Sequence, residues 1–297
     1  MNKLRGFHNV LGLLCLSLSS IGVIGFLVWA AVINGTPGDD TIDCSATGST
    51  CQNTPNVIKG FAGDDVITGG TASDTIDGGL HDDMINGGNG ADKIYGGDGN
   101  DIICGGILSS GQCTTDTNGN DTIYGGRGDD MIDGGPGNDY IDAGPGSDSV
   151  FGAAGIDRIY GGKGDDTLAG DAGNDYISGG DGDDVIDGGA DDDILIGGRG
   201  DDQITGGDGN DTIDPGQGLD YVDAGGGNDT IVIRLYDVPG FQNEIIICGG
   251  GNDRVVFERF PRGVQLPSGL SSGTVVVTDP VTRGTYTLID CDTIARR

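Results

Sequence analysis

Histidine is nearly missing from this chain of 297 residues, which has only His8 and His81. One lies in the N-terminal segment, ahead of an apolar run, and the other stands where a turn glycine belongs, so imidazole-dependent catalysis has almost no material. Glutamate is almost as scarce: of 47 acids only Glu244 and Glu258 are Glu. A solvated acidic surface uses both acids freely, so this bias points to short carboxylates held at a fixed reach. Bases number 15, and the formal net charge is −32. The charge is uneven: residues 34–232 carry forty acids against six bases, whereas 233–297 balance seven against seven. Such a surface repels a phosphate backbone, which excludes nucleic acid as a partner. Aromatic residues make up only 5%. An acidic chain rich in Gly and Asp with few aromatics has the composition of disorder. What opposes that reading is a strict period.

A nine-residue unit, Gly-Gly-x-Gly-x-Asp-x-U-x with U a large aliphatic, fills Gly125 to Val232 in twelve uninterrupted copies, and five more fill Gly60 to Cys104. The sixth position is Asp in all seventeen, and the eighth is Ile, Val or Leu in every one. The alternation in Asp-x-U-x predicts a very short strand with one large side chain pointing inward. Ile132, Ile141, Val150, Ile159, Leu168 and their successors at the eighth position would stack into an apolar seam. Gly-Gly-x-Gly supplies positions where positive φ costs little, so the chain turns sharply there and gathers its carbonyls. Two units make one coil, and units eighteen residues apart stack about 4.8 Å from one another.

These residues resemble the repeats-in-toxin family of hemolysin-type calcium-binding repeats. The resemblance implies an all-β fold, a right-handed parallel β-roll of nonapeptide repeats with a C-terminal β cap, and calcium as its cofactor in multiple ions. Stacking places Asp130 over Asp148 and Asp139 over Asp157 with turn carbonyls between them. Such carboxylates repel unless a cation intervenes, and an oxygen cage of about six or seven ligands at roughly 2.3–2.6 Å suits calcium. The expected metal ligands are therefore Asp65, Asp74, Asp83, Asp92 and Asp101 in the first run, and Asp121 just after it. The twelve-copy run adds Asp130, Asp139, Asp148, Asp157, Asp166, Asp175, Asp184, Asp193, Asp202, Asp211, Asp220 and Asp229. Asp40 and Asp253 belong to variant terminal repeats. About ten sites in the long run and about three in the short one are expected, each shared between turns. Asp183, at a fifth position, is expected to point outward and share none. Departures at Ala153, Asp171, Asp191 and Pro215, where glycines belong, predict distorted sites rather than lost ones.

Three segments follow from these patterns: 1–33 as signal peptide or membrane anchor, 34–256 as the calcium-binding roll, and 257–297 as a β-hairpin cap. Residues 1–33 combine Lys3 and Arg5 with an apolar run from Val10 to Ile33. Val28 and Ala30 offer the −3 and −1 positions of a cleavage site, while the length also suffices for a membrane span; both alternatives put the repeats outside the cytoplasm. The membrane is a partner only through residues 10–33, if they stay uncleaved. Without Cys15, six cysteines remain in neighbouring sets, Cys44 with Cys51, Cys104 with Cys113, and Cys248 with Cys291, which implies disulfides and an oxidising compartment. Most relatives of this kind use a C-terminal export signal and lack cysteines, so their export route and toxin activity do not carry over.

The expected protein is extracellular or at the cell surface, is not an enzyme, and serves calcium-dependent structure or interaction, with any surface or matrix partner unknown. The alternative is an accessory repeat module of an exported enzyme or adhesin system. Gly269-Leu270-Ser271-Ser272-Gly273 matches a nucleophile elbow, but no histidine follows it. Asp116 to Asp121 imitates the start of an EF-hand without its glycine or glutamate. The seventh positions form no regular Thr or Asn file, which opposes ice binding.

Overall fold

The computed structural model describes residues 31–45, 51–109, 112–114, 119–234, 243–258, 274–278 and 285–296. Every element among them is a strand or a turn, and no helix is long and apolar enough to cross a membrane. Two thirteen-stranded sheets are built from alternate strands of the chain. The first contains Lys93–Asp98, Thr122–Arg127, Tyr140–Pro145, Arg158–Lys163 and Tyr176–Asp181; the second contains Met131–Asp133, Ser149–Ala154, Thr167–Ala172 and Val185–Ala190. Neighbours pair in parallel with a register of eighteen, so Ile141 lies beside Ile159 and Val150 beside Leu168. The architecture is the expected parallel β-roll, two nonapeptides to a coil.

The core is the eighth position. Ile132, Ile141, Val150, Ile159, Ile177, Leu195, Ile204, Ile213, Val222 and Ile231 are fully buried, and Leu168 and Ile186 nearly so. One aliphatic per repeat fills the gap between two sheets and leaves no room for a second, because the first position turns inward beside it: Ala143 and Ala224 are also fully buried. The chain bends at the second and fourth positions, with φ of +119° at Gly126 and +122° at Gly128, but the second lies within the strand Thr122–Arg127: the strands extend through Gly-Gly-x and are longer than the Asp-x-U-x pattern suggests. A side chain at Gly126 would also run into the Gly97 carbonyl of the preceding coil. Even so, His81, Ala153, Asp171 and Asp191 take the same conformation, with φ between +70° and +80°. Each such residue costs about 1–2 kcal/mol relative to glycine. Ala153 and Asp171 even pair with each other across adjacent strands, so the stack as a whole imposes that strain.

Insertions bulge from turns without breaking the stack. The register rises to 29 where Lys93 pairs with Thr122 and Ile102 with Met131. The extra chain forms an antiparallel pair, Ile107–Ser109 with Gln112–Thr114, whose neck is closed by Cys104–Cys113 at a Cα separation of 5.5 Å. At the N-terminal end the register is 25, with Cys44–Cys51 closing the bulge at 5.2 Å. Cys248–Cys291, at 5.0 Å, joins the last rungs.

The ends lie differently from the expected boundaries at 34 and 256. Ala31–Asn34 already pairs with Asn56–Ala62 as the first rung, because Val32 and Ile33 continue the strand alternation. At the other end Thr274–Thr278 and Thr285–Ile289 form the expected antiparallel pair. Thr285–Ile289 also runs parallel to Asn243–Ile247, and Thr293–Arg296 runs parallel to Arg254–Glu258. The cap is thus built onto a final coil of the roll rather than set beside it. Residues 1–30, the Asp279-Pro280 turn, the Gly269–Gly273 motif and Asp116 to Asn118 lie outside the described residues.

The seam and the outer face make opposite predictions for neighbouring strands of one sheet. Ile177 is fully buried, whereas Ile194 is 47% exposed. Ile177→Ala should cost about 2–5 kcal/mol in urea unfolding at saturating calcium, and Ile194→Ala less than about 1 kcal/mol. Equal losses would contradict the inward assignment of the eighth position.

Candidate metal centre

Position six ends each turn, just before the strand it leads into, and the stack brings all its members into two files. In one, the main-chain N–H of each residue donates to Oδ1 of its counterpart in the next coil, from Asp40 through Asp65, Asp83, Asp101, Asp130, Asp148, Asp166, Asp184 and Asp202 to Asp220, at 2.7–3.0 Å. The other begins at Asn56 and runs through Asp74, Asp92, Asp121, Asp139, Asp157, Asp175, Asp193, Asp211 and Asp229 to Asp253, at 2.6–3.1 Å. All twenty aspartates expected as ligands fall in these files, and the coils containing Ala153, Asp171, Asp191 and Pro215 do not interrupt them.

The files hold members that the repeat consensus does not announce. The Asp253 N–H donates to Asp292 Oδ2 at 3.1 Å. Asp292-Thr293-Ile294-Ala295 is the Asp-x-U-x half of a repeat stripped of its glycines, and that half alone could have found it. Asn56 takes the same place at the other end, its side chain also donating to Asp74 Oδ1 at 2.8 Å.

One carboxylate oxygen is left over. Apart from Asp40, the expected aspartates are buried at 1–3% exposure. Oδ1 is taken by the N–H of the neighbouring coil, but Oδ2 has no hydrogen-bond partner at Asp65, Asp83, Asp101, Asp130, Asp148, Asp157, Asp166, Asp175, Asp184, Asp193, Asp202, Asp211, Asp220, Asp229 and Asp253. Buried polar atoms are ordinarily satisfied, and an orphaned anionic oxygen repeated in coil after coil asks for a positive partner. Two ends are satisfied otherwise: Asp74 Oδ2 accepts from Gly70 N–H, and Asp40 Oδ2 from Thr36.

The first glycine of each repeat shows what else faces that space. A Cβ at Gly152 would lie 2.6 Å from Asp157 Oδ2 and 3.0 Å from the Gly170 carbonyl oxygen of the next coil. At Gly125 the corresponding distances, to Asp130 Oδ2 and the Ala143 carbonyl, are both 2.5 Å. Carboxylate and carbonyl oxygens of successive coils thus converge on one small cradle. Among the described residues no three His, Cys, Asp or Glu side chains gather to hold a metal, so carbonyls must complete any cation site here. A set of hard oxygens of this kind fits calcium.

Electrostatics point the same way. Burial pushes the carboxyls up, to about 7 at Asp83, Asp130, Asp166, Asp175, Asp184, Asp193, Asp202 and Asp220, and to about 6 at Asp101, Asp148, Asp157 and Asp229. The hydrogen bond from the neighbouring coil opposes the rise without cancelling it.

The fifth position points outward, as expected for Asp183, and makes hydrogen bonds of its own. Asp183 is exposed, but its Oδ1 accepts from Asp201 N–H at 2.7 Å and its N–H donates to Asp165 Oδ1 at 2.9 Å. This outer ladder runs opposite to the inner one: fifth-position side chains reach forward to the next coil, and sixth-position ones reach back. The exposed oxygens remain open to water, which is why the two ladders differ chemically.

Two files of buried carboxylates and converging carbonyls define a cation-binding parallel β-roll. The family model described as "RTX calcium-binding nonapeptide repeat" matches in overlapping segments spanning 59–107 and 115–231, more than half of the chain. The chain belongs to that family and is a calcium-binding repeat protein. A search of curated proteins gives no match. Among solved structures, a hyperactive, Ca2+-dependent, β-helical antifreeze protein from an Antarctic bacterium matches at 21% identity and a TM-score of 0.32, over 75% of this chain and 85% of that one. A superposition that loose carries no weight for function.

Asp157→Asn and Asp183→Asn each remove one charge, but only the first removes an anionic oxygen from a cradle. Calorimetric calcium titration should show lower stoichiometry or cooperativity for Asp157→Asn and a near-native isotherm for Asp183→Asn, whose amide oxygen still accepts from Asp201. Indistinguishable isotherms would refute the cradle assignment.

A second expectation concerns pH. A carboxyl raised in the folded state keeps a proton that the unfolded chain has released, so without calcium the roll loses stability between about pH 4 and pH 7 and regains it on acidification. In chelator, the β-sheet circular dichroism should therefore grow as pH falls from about 7.5 to about 5. A flat response would count against burial of these carboxyls.

Proposed function

We propose that this protein is an exported, non-enzymatic calcium-binding protein whose roll folds as calcium enters between its coils. The observation that carries the reading is the unpartnered, buried Oδ2 repeated along both files. The sixth-position aspartates and the first-position carbonyls of the next coil would hold the ions, which supply the positive charge the fold lacks. Ligands come from two coils at once, so no single repeat binds well alone, and binding and stacking are one event.

Export rests on the N-terminal pattern and on three cysteine pairs within disulfide distance. Strand Ala31–Asn34 begins at the residue after Ala30, so processing there would leave the first rung whole, while retention would hold the roll directly at a membrane surface. The accessory-module alternative differs only in what the roll serves. Ice binding is not favoured: Met131, Ser149, Thr167, Val185, Gln203 and Tyr221 stack in one irregular outward file.

Circular dichroism during a calcium titration, with magnesium as control, tests the reading. The chain should be expanded in chelator at neutral pH and become β-rich with a midpoint of roughly 10⁻⁴–10⁻³ M calcium. A β signal already complete in chelator would sink it.

A further inference from the structure

The six bases of residues 34–232 are not scattered around the roll. Lys59, Lys93, Arg127, Arg158, Lys163 and Arg199 all lie on strands of the first sheet, and the second sheet's strands from Thr41 to Gly226 contain none. Five of the chain's eight tyrosines share that face. Tyr95, Tyr124, Tyr140, Tyr160 and Tyr176 occupy five successive strands, with ring centroids 5.1, 5.9, 5.6 and 5.7 Å apart.

Cations border this ladder. Lys93 Nζ lies 5.1 Å from the Tyr95 ring centroid and 5.7 Å from that of Tyr124. The Arg158 guanidinium lies 5.0 Å from the Tyr176 centroid and donates to the Tyr160 hydroxyl at 3.3 Å. Lys59, Arg127 and Arg199 face acids on adjacent strands, Asp77, Asp98 and Asp181. Among the described residues, Lys93, Arg158 and Lys163 have no such acid within ion-pair distance. A chain of charge −32 thus keeps two cations without an acid partner, Lys93 and Arg158, against a row of phenols in which Asp142 sits between Tyr124 and Tyr160.

The rings already touch one another, which leaves no gap for a base to intercalate. What the ladder offers outward is ring edges, hydroxyls and the flanking cations. Lys93 and Arg158 stand three strand spacings apart, about 14 Å. Carboxylates spaced that widely suit a polymer with few charges and many hydroxyls, not a densely charged one, which the surrounding aspartates would repel. We propose that the tyrosine ladder is a binding surface for a linear, sparsely acidic polysaccharide lying along the roll axis. Lys93 and Arg158 pair with its carboxylates, and the tyrosine edges and hydroxyls meet its sugars.

The test uses hyaluronan, which carries one carboxylate per disaccharide, with dextran and a single-stranded oligonucleotide as comparisons. Binding of the full chain is followed by affinity electrophoresis in saturating calcium, with circular dichroism reporting the fold. The chain should bind hyaluronan in preference to both comparisons, and Lys93→Glu/Arg158→Glu should weaken that binding about tenfold or more. Tyr124→Phe/Tyr160→Phe, which keeps the rings and removes only hydroxyls, should weaken it with the β signal unchanged. Lys59→Glu, outside the ladder, should bind as the native chain does. A folded roll that does not bind hyaluronan, binding indifferent to the Lys93, Arg158 and tyrosine variants, or equal binding of dextran or the oligonucleotide overturns the proposal. None of these outcomes touches the calcium reading, which is judged by the β signal alone.

Discussion

Each coil is tied to the next by a main-chain N–H donating to the Oδ1 of a buried sixth-position aspartate, a bond that removes a carboxylate from water without removing its charge. Taking an ionised carboxylate out of water costs several kcal/mol even after relaxation. A hydrogen bond to a charged group returns about 1.5–3 kcal/mol, and one buried isoleucine about as much. The remaining features of the roll answer to this imbalance. Orphaned Oδ2 atoms along both files mark where a divalent cation has to supply what hydrogen bonding does not.

The same constraint explains the glycines. At the first position a side chain would enter the space between Oδ2 and the next coil's carbonyl; at the second and fourth, positive φ and a close carbonyl exclude most residues. Ala143 and Ala224, both buried, place a methyl group where that cradle lies. His81, Ala153, Asp171 and Asp191 show that the stack tolerates backbone strain more readily than a lost carboxylate, since the ladder passes each of them unbroken. Insertions are accommodated on the same terms. Chain is added where it leaves the turn, and the next aspartate returns to the file.

The two faces outside the seam are free of that constraint, and there the sheets diverge. One gathers bases and stacked tyrosines, while the other holds Asp133, Asp187 and Asp223 together with exposed Met84, Ile102, Met131 and Phe151. Alternate repeats face opposite sides, so substitutions nine residues apart act on different surfaces. A period of eighteen, not nine, is the functional unit of the exterior.

The sequence by itself determined the coil. An Asp and an aliphatic in phase at nine residues dictate a short strand and a turn, and their eighteen-residue stacking follows because each strand buries only one side chain and must repeat to make a core. The sixth-position aspartates and three cysteine pairs were legible for the same reason, since local period and spacing encode them. Tertiary structure decided what local pattern does not carry. It gave most of these carboxylates one bonded and one orphaned oxygen, enlisted Asn56 and Asp292 as the ends of a file, gave fifth-position residues such as Asp183 a ladder of their own, and assembled five tyrosines from strands up to 81 residues apart in sequence on one face. These depend on which atoms of successive coils meet, and the insertions at 44–51 and 104–113 shift that correspondence by amounts that only the stacked register reveals.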